Sequence, residues 1–502
     1  MTQTVIIIIV FLAYLFIMIG IGIYFFRRNR SVSDYILGGR KLNPWVAAMS
    51  TQASDMSGWL LLGLPGTAYL LYTGTSEAIW TAIGLFIGTW LNWLIVAKRL
   101  RKYTILCGNS LTLPDFFSNR FEDHSGILRG ISALFILIFF LFYTASMFSA
   151  GAKLFVTVFD IPYRTALIIG GLIIVSYTFL GGFLAVCWTD TIQGLLMFAA
   201  LIITPIVAYF KLGGGNGLAD AASQIKGTFS FLPMADGKVN VMLLISSLAW
   251  GFGYFGQPHI LPRFMAIRSE KEIRPARVIA MIWVLITLAM AVVVGIFGAY
   301  LYPSLADPES VFMVMVTDLF PPVITGILLT AILAAIMSTA DSQLLVASSA
   351  VSSDIYSGLI NKHASQKKLL WISRLTVIAI SIIAILLVSD PNPKEGTVMY
   401  LINSSVFKLV AFAWAGFGSA FGPIILFSLF WKRTTKPAAL AGILSGGISA
   451  FVWWLNSGGI FDIYEIVPGF LISSLVIILV SLFTKPNPSF LTTFSEMKKT
   501  HI

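Results

Sequence analysis

Apolar runs long enough to cross a bilayer recur along the chain from Thr4 to Thr484, separated by short polar or basic stretches. A bilayer core of about 30 Å needs about 20 apolar helical residues per crossing. On that measure, spans fall near 4–26, 43–72, 76–98, 128–158, 164–183, 184–210, 239–265, 276–302, 321–352, 368–389, 398–431, 437–457 and 464–484. The pattern predicts an all-α polytopic membrane protein with about 13 transmembrane helices. An odd number of crossings places the two termini on opposite sides.

Charge decides which side is which. The first span ends in Arg27, Arg28 and Arg30 without a small-residue cleavage site, so it reads as a retained helix with a cytoplasmic end, not a signal peptide. Counting on from there, cytoplasmic segments hold Lys98, Arg99, Arg101 and Lys102, then Arg263, Arg268, Lys271, Arg274 and Arg277. Further along they hold Lys362, Lys367 and Lys368, then Lys432, Arg433 and Lys436, and finally Lys498 and Lys499. The opposite side carries little more than Arg164, Lys211, Lys226, Lys238 and Lys394. The expectation is a multi-pass plasma-membrane protein with its N-terminus outside and its C-terminus cytoplasmic.

Composition agrees. Hydrophobic residues make up 57% of the chain and charged residues 11%, against about 25% charged in soluble domains. The net charge of +11 is explained by helix ends facing anionic lipid and calls for no nucleic acid. Cys107 and Cys187 offer neither a disulfide framework nor a metal cluster. The four histidines, His124, His259, His363 and His501, are scattered and no nucleophile motif accompanies them, so an enzyme is not expected. No pore-loop repeat suggests a channel, and no soluble segment is long enough for a signalling domain. No organic cofactor and no obligatory protein partner are evident.

Function in such a chain belongs where the apolar pattern breaks, because polar or irregular backbone at bilayer depth must face protein or a water-filled cavity. The second span carries the polar block Ser50-Thr51-Gln52-Ala53-Ser54-Asp55-Met56-Ser57-Gly58, followed by Gly63, Pro65 and Gly66, and is expected to unwind there. The seventh carries Trp250-Gly251-Phe252-Gly253-Tyr254-Phe255-Gly256-Gln257-Pro258 and reads as a second broken helix. The two lie five spans apart, an odd number, so spans two to six and seven to eleven form units of opposite orientation. Paired breaks in inverted halves point to a transport site near the midplane, with freed carbonyls for a cation and half-helix N-termini for an anionic group. Close helix packing is the competing explanation for the glycines. The division expected is 1–42 for the first helix and its loop, 43–210 for the first repeat, 211–238 for an extracellular loop, 239–431 for the second repeat and 432–502 for two further helices and a tail.

Asp55 is the most costly residue in this pattern, about 2.5–3.5 kcal/mol for a carboxylate at a helix centre. No Lys or Arg lies in its block, the nearest in sequence being Arg40 and Lys41, which leaves a bound cation as one partner and a helix-capping role as the other reading. The ninth span adds Ala335-Ile336-Met337-Ser338-Thr339-Ala340-Asp341-Ser342. Its hydroxyls suit a hard monovalent cation, or bond back to carbonyls one turn earlier.

At these residues the chain resembles the sodium/solute symporter family. The shared motifs are Asp34-Tyr35-Ile36-Leu37-Gly38-Gly39-Arg40, Ala53-Ser54-Asp55-Met56-Ser57-Gly58-Trp59 and Leu113-Pro114-Asp115-Phe116-Phe117. They continue with Gly181-Gly182-Phe183-Leu184-Ala185-Val186, Gly253-Tyr254-Phe255-Gly256-Gln257-Pro258-His259-Ile260 and Ala413-Trp414-Ala415-Gly416-Phe417-Gly418. The resemblance implies a core of two inverted five-helix repeats and sodium-coupled uptake of a small solute, proline, with other amino acids, pantothenate or monocarboxylates as rivals. It implies Na+ held by main-chain oxygens of Ala53, Met56 and Ala335 and by the hydroxyls of Ser338 and Thr339, with Asp55 essential beside it. Ser57, Gly58, Tyr143, Trp250, Tyr254 and Pro258 match solute-contacting positions, and Arg40 matches a coupling position. Aromatic walls suit a pyrrolidine ring, and backbone N–H groups near Ser57 and Gly58 suit its carboxylate. Asp341 stands where a small neutral residue is expected.

Overall fold

The computed structural model describes residues 2–26, 32–178, 182–224, 230–390, 393–394, 405–486 and 493–496. Arg27, Arg28, Arg30, Gly181, Lys226, Lys498 and Lys499 lie outside the described residues, as do 179–181 of the fifth expected span and 398–404 of the eleventh.

Among the described residues, ten helices are long and apolar enough to cross a membrane. They include Gln3–Phe26, Ile127–Phe159, Phe183–Lys211, Ile273–Leu301, Pro322–Ser349, Gln366–Leu387, Val406–Phe430, Lys436–Trp454 and Ile466–Phe483. The expected spans at 43–72, 164–183 and 239–265 coincide with the two broken helices and the shorter Tyr163–Thr178. Two expected spans run longer than their apolar runs. The third continues from Thr73 to Leu106, so Lys98, Arg99, Arg101 and Lys102 sit on helix and not in a loop; Lys and Arg are good helix formers once their charges clear the lipid. The ninth continues to Ile360 through a wider π-type winding at Ala350–Ile360. The segment expected as an outer loop folds into a helix, Gly214–Gln224, and a two-stranded hairpin pairing Met234 with Val239.

The packing repeats with a five-span offset. Helix 44–55 lies against Phe183–Lys211 and Ile273–Leu301; its counterpart, 250–256, lies against Val406–Phe430 and Thr73–Leu91. Likewise Phe183–Lys211 packs on Pro322–Ser349 as Val406–Phe430 packs on Ile127–Phe159. This exchange of partners is the signature of two five-helix units. The most fully buried long helices, Pro322–Ser349 and Val406–Phe430, sit at the centre, whereas Gln3–Phe26 and Ile466–Phe483 lie at the periphery.

Glycines set the closest approaches. A Cβ on Gly88 would run into the carbonyl of Gly251, and one on Gly84 into the backbone of Leu248. Both are backbone obstacles that no side-chain rotation relieves. Gly88→Ala is therefore expected to cost about 1–3 kcal/mol by overpacking, read as a lower thermal unfolding midpoint of the purified protein; an unchanged midpoint would show that the two helices separate at no cost.

Candidate functional site

The first broken helix begins at Pro44, with the Asn43 side chain accepting from the Val46 N–H. It stays helical through Asp55, so the unwinding expected in the block Ser50–Gly58 occurs only in its last part. The hydroxyls explain this: Thr51 donates to the Ala47 carbonyl at 2.6 Å, Ser54 to the Thr51 carbonyl at 3.2 Å and Ser50 to Asp190 at 2.6 Å, none displacing a helical N–H. The break is confined to Met56 and Ser57, after which Gly58 is helical again, Trp59–Gly63 forms a π turn and Leu64–Tyr69 a last half-helix. Gly58 is tightly placed: a Cβ there would sit 3.1 Å from that of Ala150.

In the second broken helix, Val241–Ala249 gives way to a tight three-residue-per-turn winding over Trp250–Gly256, then a turn, then Leu261–Ala266. At the far ends the two broken helices are zipped together by backbone: Leu42 N–H donates to the Ala266 carbonyl at 3.1 Å, and Arg268 N–H to that of Leu42 at 3.0 Å.

Around Asp55 the two breaks meet. Its carboxylate, wholly buried, accepts from the Tyr254 hydroxyl at 2.6 Å. Its backbone carbonyl accepts from Trp59 Nε1 at 3.2 Å and from the Tyr143 hydroxyl at 3.5 Å. Nearby, Ser338 Oγ lies 2.7 Å from the Ala53 carbonyl and 3.1 Å from that of Ala335, so three oxygens from two helices share one spot. Asp55 Oδ1 and Thr339 Oγ1 are buried with no hydrogen-bond partner among the described residues. Buried unpaired acceptors of this kind call for a ligand, and an oxygen set of carbonyls, hydroxyls and one carboxylate suits an alkali cation. Of the residues expected around sodium, Ala53, Ala335 and Ser338 are brought together directly; the Asp55 side chain is held on the Tyr254 side.

The residues expected around the solute divide. Trp250 lines a cavity of about 520 Å³ that also touches Thr67, Lys153, Glu309, Phe407 and Tyr464. Its indole is stacked on Phe407 and Tyr464, with ring centroids 4.9 and 5.2 Å away. Tyr254, Tyr143, Ser57 and Gly58 are buried and do not line this cavity. Pro258 stands apart: it lines a cavity of only about 20 Å³, beside Phe183, Pro262 and Asp354.

The cavity at Trp250 is thus wide and the one at Pro258 nearly closed. Arg40 donates to the carbonyls of Met265 at 2.7 Å and Ser110 at 2.8 Å, to Asn109 Oδ1 at 3.0 Å and to Thr104 Oγ1 at 3.2 Å, tying three segments together. Burial, with the neighbouring Arg101 cation, pulls the Arg40 guanidinium down to about 10, which leaves it charged at neutral pH. At the wide cavity, Lys153 pairs with Asp307 at 2.8 Å and Glu309 at 2.5 Å, and Glu309 accepts from the Phe407 N–H at 3.1 Å at the start of helix 406–430.

Sequence reasoning missed a buried cluster below the break. Arg263, wholly buried, lies 3.3 Å from Asp190, 3.2 Å from Ser50 Oγ and 2.5 Å from Ser342 Oγ. Asp190, in an apolar span, was its available signal; Arg263, expected in a cytoplasmic segment, instead lies wholly buried on the last part of the second broken helix. Asp341, which departs from the expected small residue, is hydrogen-bonded to Thr178.

A helical bundle with two paired broken helices, a buried carboxylate between them and a large cavity reaching one of the breaks has the build of a secondary transporter. The sodium:solute symporter family model matches residues 35–446, and the chain belongs to that family. It is 48% identical to the sodium/proline symporter of Escherichia coli (strain K12), over 97% of this chain and 95% of that one. It is 45% identical to the high-affinity proline transporter PutP of Bacillus subtilis (strain 168), over 96% and 99% of the two chains, and 44% identical to the osmoregulated proline transporter OpuE of the same organism, over 97% and 96%. Among solved structures, a Na+-coupled sialic acid symporter in a substrate-bound outward-open state shares the fold with a TM-score of 0.75 at 20% identity, covering 96% of this chain and 98% of that one. Mhp1, a nucleobase-cation-symport-1 family transporter, follows with a TM-score of 0.57 at 12% identity, over 93% and 99%.

Proposed function

We propose that the protein carries L-proline into the cell together with sodium, by alternating access. The observation that carries this reading is the meeting of the two breaks: an oxygen cluster at Ala53, Ala335 and Ser338 beside the buried Asp55 carboxylate, with Trp250 lining a large cavity. Relatives named as proline transporters at 44–48% identity over nearly the full length supply the substrate. The ion is held by Ala53, Asp55, Met56, Ala335, Ser338 and Thr339. Proline is held by Ser57, Gly58, Tyr143, Trp250 and Tyr254, and Pro258 acts on its inner exit path. Arg40 clamps the inner ends.

The protein crosses the membrane thirteen times, N-terminus outside. This topology puts Thr67, Leu243, Asp307, Ser405 and Asp462, which all border the large cavity, on the outer side, and Ile36, Thr112, Pro262 and Asp354, which border the small one, on the inner side. The open cavity then faces outward. Sodium enters from it, neutralises the Asp55 region and fixes both breaks. Proline settles against Trp250, and closure of the outer cavity releases the Arg40 clamp.

The test is uptake of labelled proline by purified protein in liposomes at fixed pH. Uptake is expected to rise with an inward sodium gradient. Equal uptake with choline in place of sodium under a proton gradient alone overturns sodium coupling.

A further inference from the structure

We propose that Asn92, Gln257 and Trp414 are positioning residues that hold segment 250–256 in its tight winding and so set the directions of Trp250 and Tyr254; the solute named in the test rests on the proline reading above.

Winding decides where those two rings point. An α-helix advances about 100° per residue and a three-residue turn about 120°. Side chains four apart therefore diverge by about 40° in the first case and about 120° in the second. The segment Trp250–Gly256 takes the tighter form. That is why Trp250 reaches the outer cavity while Tyr254 turns away from it to meet Asp55.

Such winding has poorer backbone hydrogen bonds than an α-helix and is uncommon over so many residues. Here it is held from outside. Trp414 Nε1 donates to the Trp250 carbonyl at 2.8 Å. Asn92 Nδ2 donates to the Tyr254 carbonyl at 3.0 Å. Gln257 Nε2 donates to the Gly253 carbonyl at 3.1 Å and to that of Trp414 at 3.2 Å, joining the segment to helix 406–430. All three side chains are buried.

The local sequence serves these contacts. Asn92 opens a π turn, Asn92–Val96, in the third span, whose extra residue rotates the amide onto its neighbour. Gly253 leaves the space the Trp414 indole occupies, and that indole also packs edge-on against Tyr254, centroids 4.9 Å apart. Each of the three side chains spends its donor on a backbone carbonyl of the wound segment, so they act through Trp250 and Tyr254.

The test uses the full-length protein with Trp414→Phe, which keeps an aromatic ring without the donor, and Asn92→Leu, which keeps the volume without the donor. Hydrogen exchange over peptides covering 250–256 is expected to accelerate about tenfold in each, with other spans unchanged. In liposomes the half-saturating proline concentration is expected to rise about fivefold, with maximal rate and half-saturating sodium within about twofold of wild type. Discrimination against pipecolate, the six-membered homologue of proline, falls about fivefold as the two rings lose their fixed angle. Unchanged exchange over 250–256 in a folded variant overturns the proposal whatever solute the protein carries. So does a loss of rate with unaltered proline dependence and selectivity, which marks a purely structural role. Absence of sodium-driven proline uptake in wild type is a failure of the transport reading alone, and the exchange measurement still decides this one.

Discussion

Asp55→Asn is expected to abolish sodium-dependent uptake, to below about one per cent of wild type, equivalent to about 2.7 kcal/mol, while leaving the amount of protein in the membrane unchanged. The carboxylate is wholly buried, and one oxygen is engaged by the Tyr254 hydroxyl. The other, Oδ1, has no hydrogen-bond partner among the described residues. A charge taken out of water without compensation is unfavourable by several kcal/mol, and on the proposed reading a bound sodium ion is what compensates it. Asparagine keeps the size and an oxygen for Tyr254, so the fold is preserved, but it removes the negative charge that makes the site prefer a cation. The measurement pairs labelled-proline uptake across a range of sodium concentrations with quantification of the protein in the membrane. Normal transport with unchanged sodium dependence in Asp55→Asn would reduce the carboxylate to an anchor for Tyr254 and move the ion elsewhere.

How far such a site can be read from sequence depends on what enforces each feature. The spans were legible because lipid imposes length and apolarity on each of them. The breaks were legible because glycine and polar residues have few other reasons to cluster at bilayer depth. Their extent was not. Ser50, Thr51 and Ser54 look like helix breakers, yet each finds an acceptor on a side chain or an already helical carbonyl, and the helix runs on to Asp55. Basic residues did not mark a helix end, since the third span carries Lys98 to Lys102 on a continuous helix to Leu106. Pairings between distant spans stayed invisible. Nothing in the strings around Asp190 and Arg263 says that they meet, although Asp190 is an unfavourable charge in an apolar run. Asn92 is the instructive omission: a lone amide in the apolar third span reads as tolerated polarity, and only the fold shows it reaching the Tyr254 carbonyl. Pro258 belongs to the same motif as Trp250, yet it lines a different and much smaller cavity.

Trp250→Ala is expected to raise the proline concentration for half-maximal uptake by about tenfold or more, a loss of about 1.4 kcal/mol, while sodium binding survives. The indole lines the large cavity, and the rings of Phe407, Tyr464 and Trp59 surround it. A saturated five-membered ring gains most from a flat, rigid, apolar face, and no aliphatic side chain offers one. Removing the indole leaves a gap of aromatic size that water or a rearranged Phe407 fills poorly, so affinity falls for a solute that used that face. The oxygen cluster at Ala53, Ala335 and Ser338 is formed by two other helices. Its occupancy can be followed separately through sodium protection of a cysteine introduced beside Ser338. In Trp250→Ala that protection should persist at wild-type sodium concentrations while the proline curve shifts. An unshifted proline curve removes Trp250 from the pocket. Loss of sodium protection together with proline affinity would instead show that the stacked rings of Trp250, Phe407 and Tyr464 hold both breaks in place, making the residue a support of the whole site and not a wall for the solute.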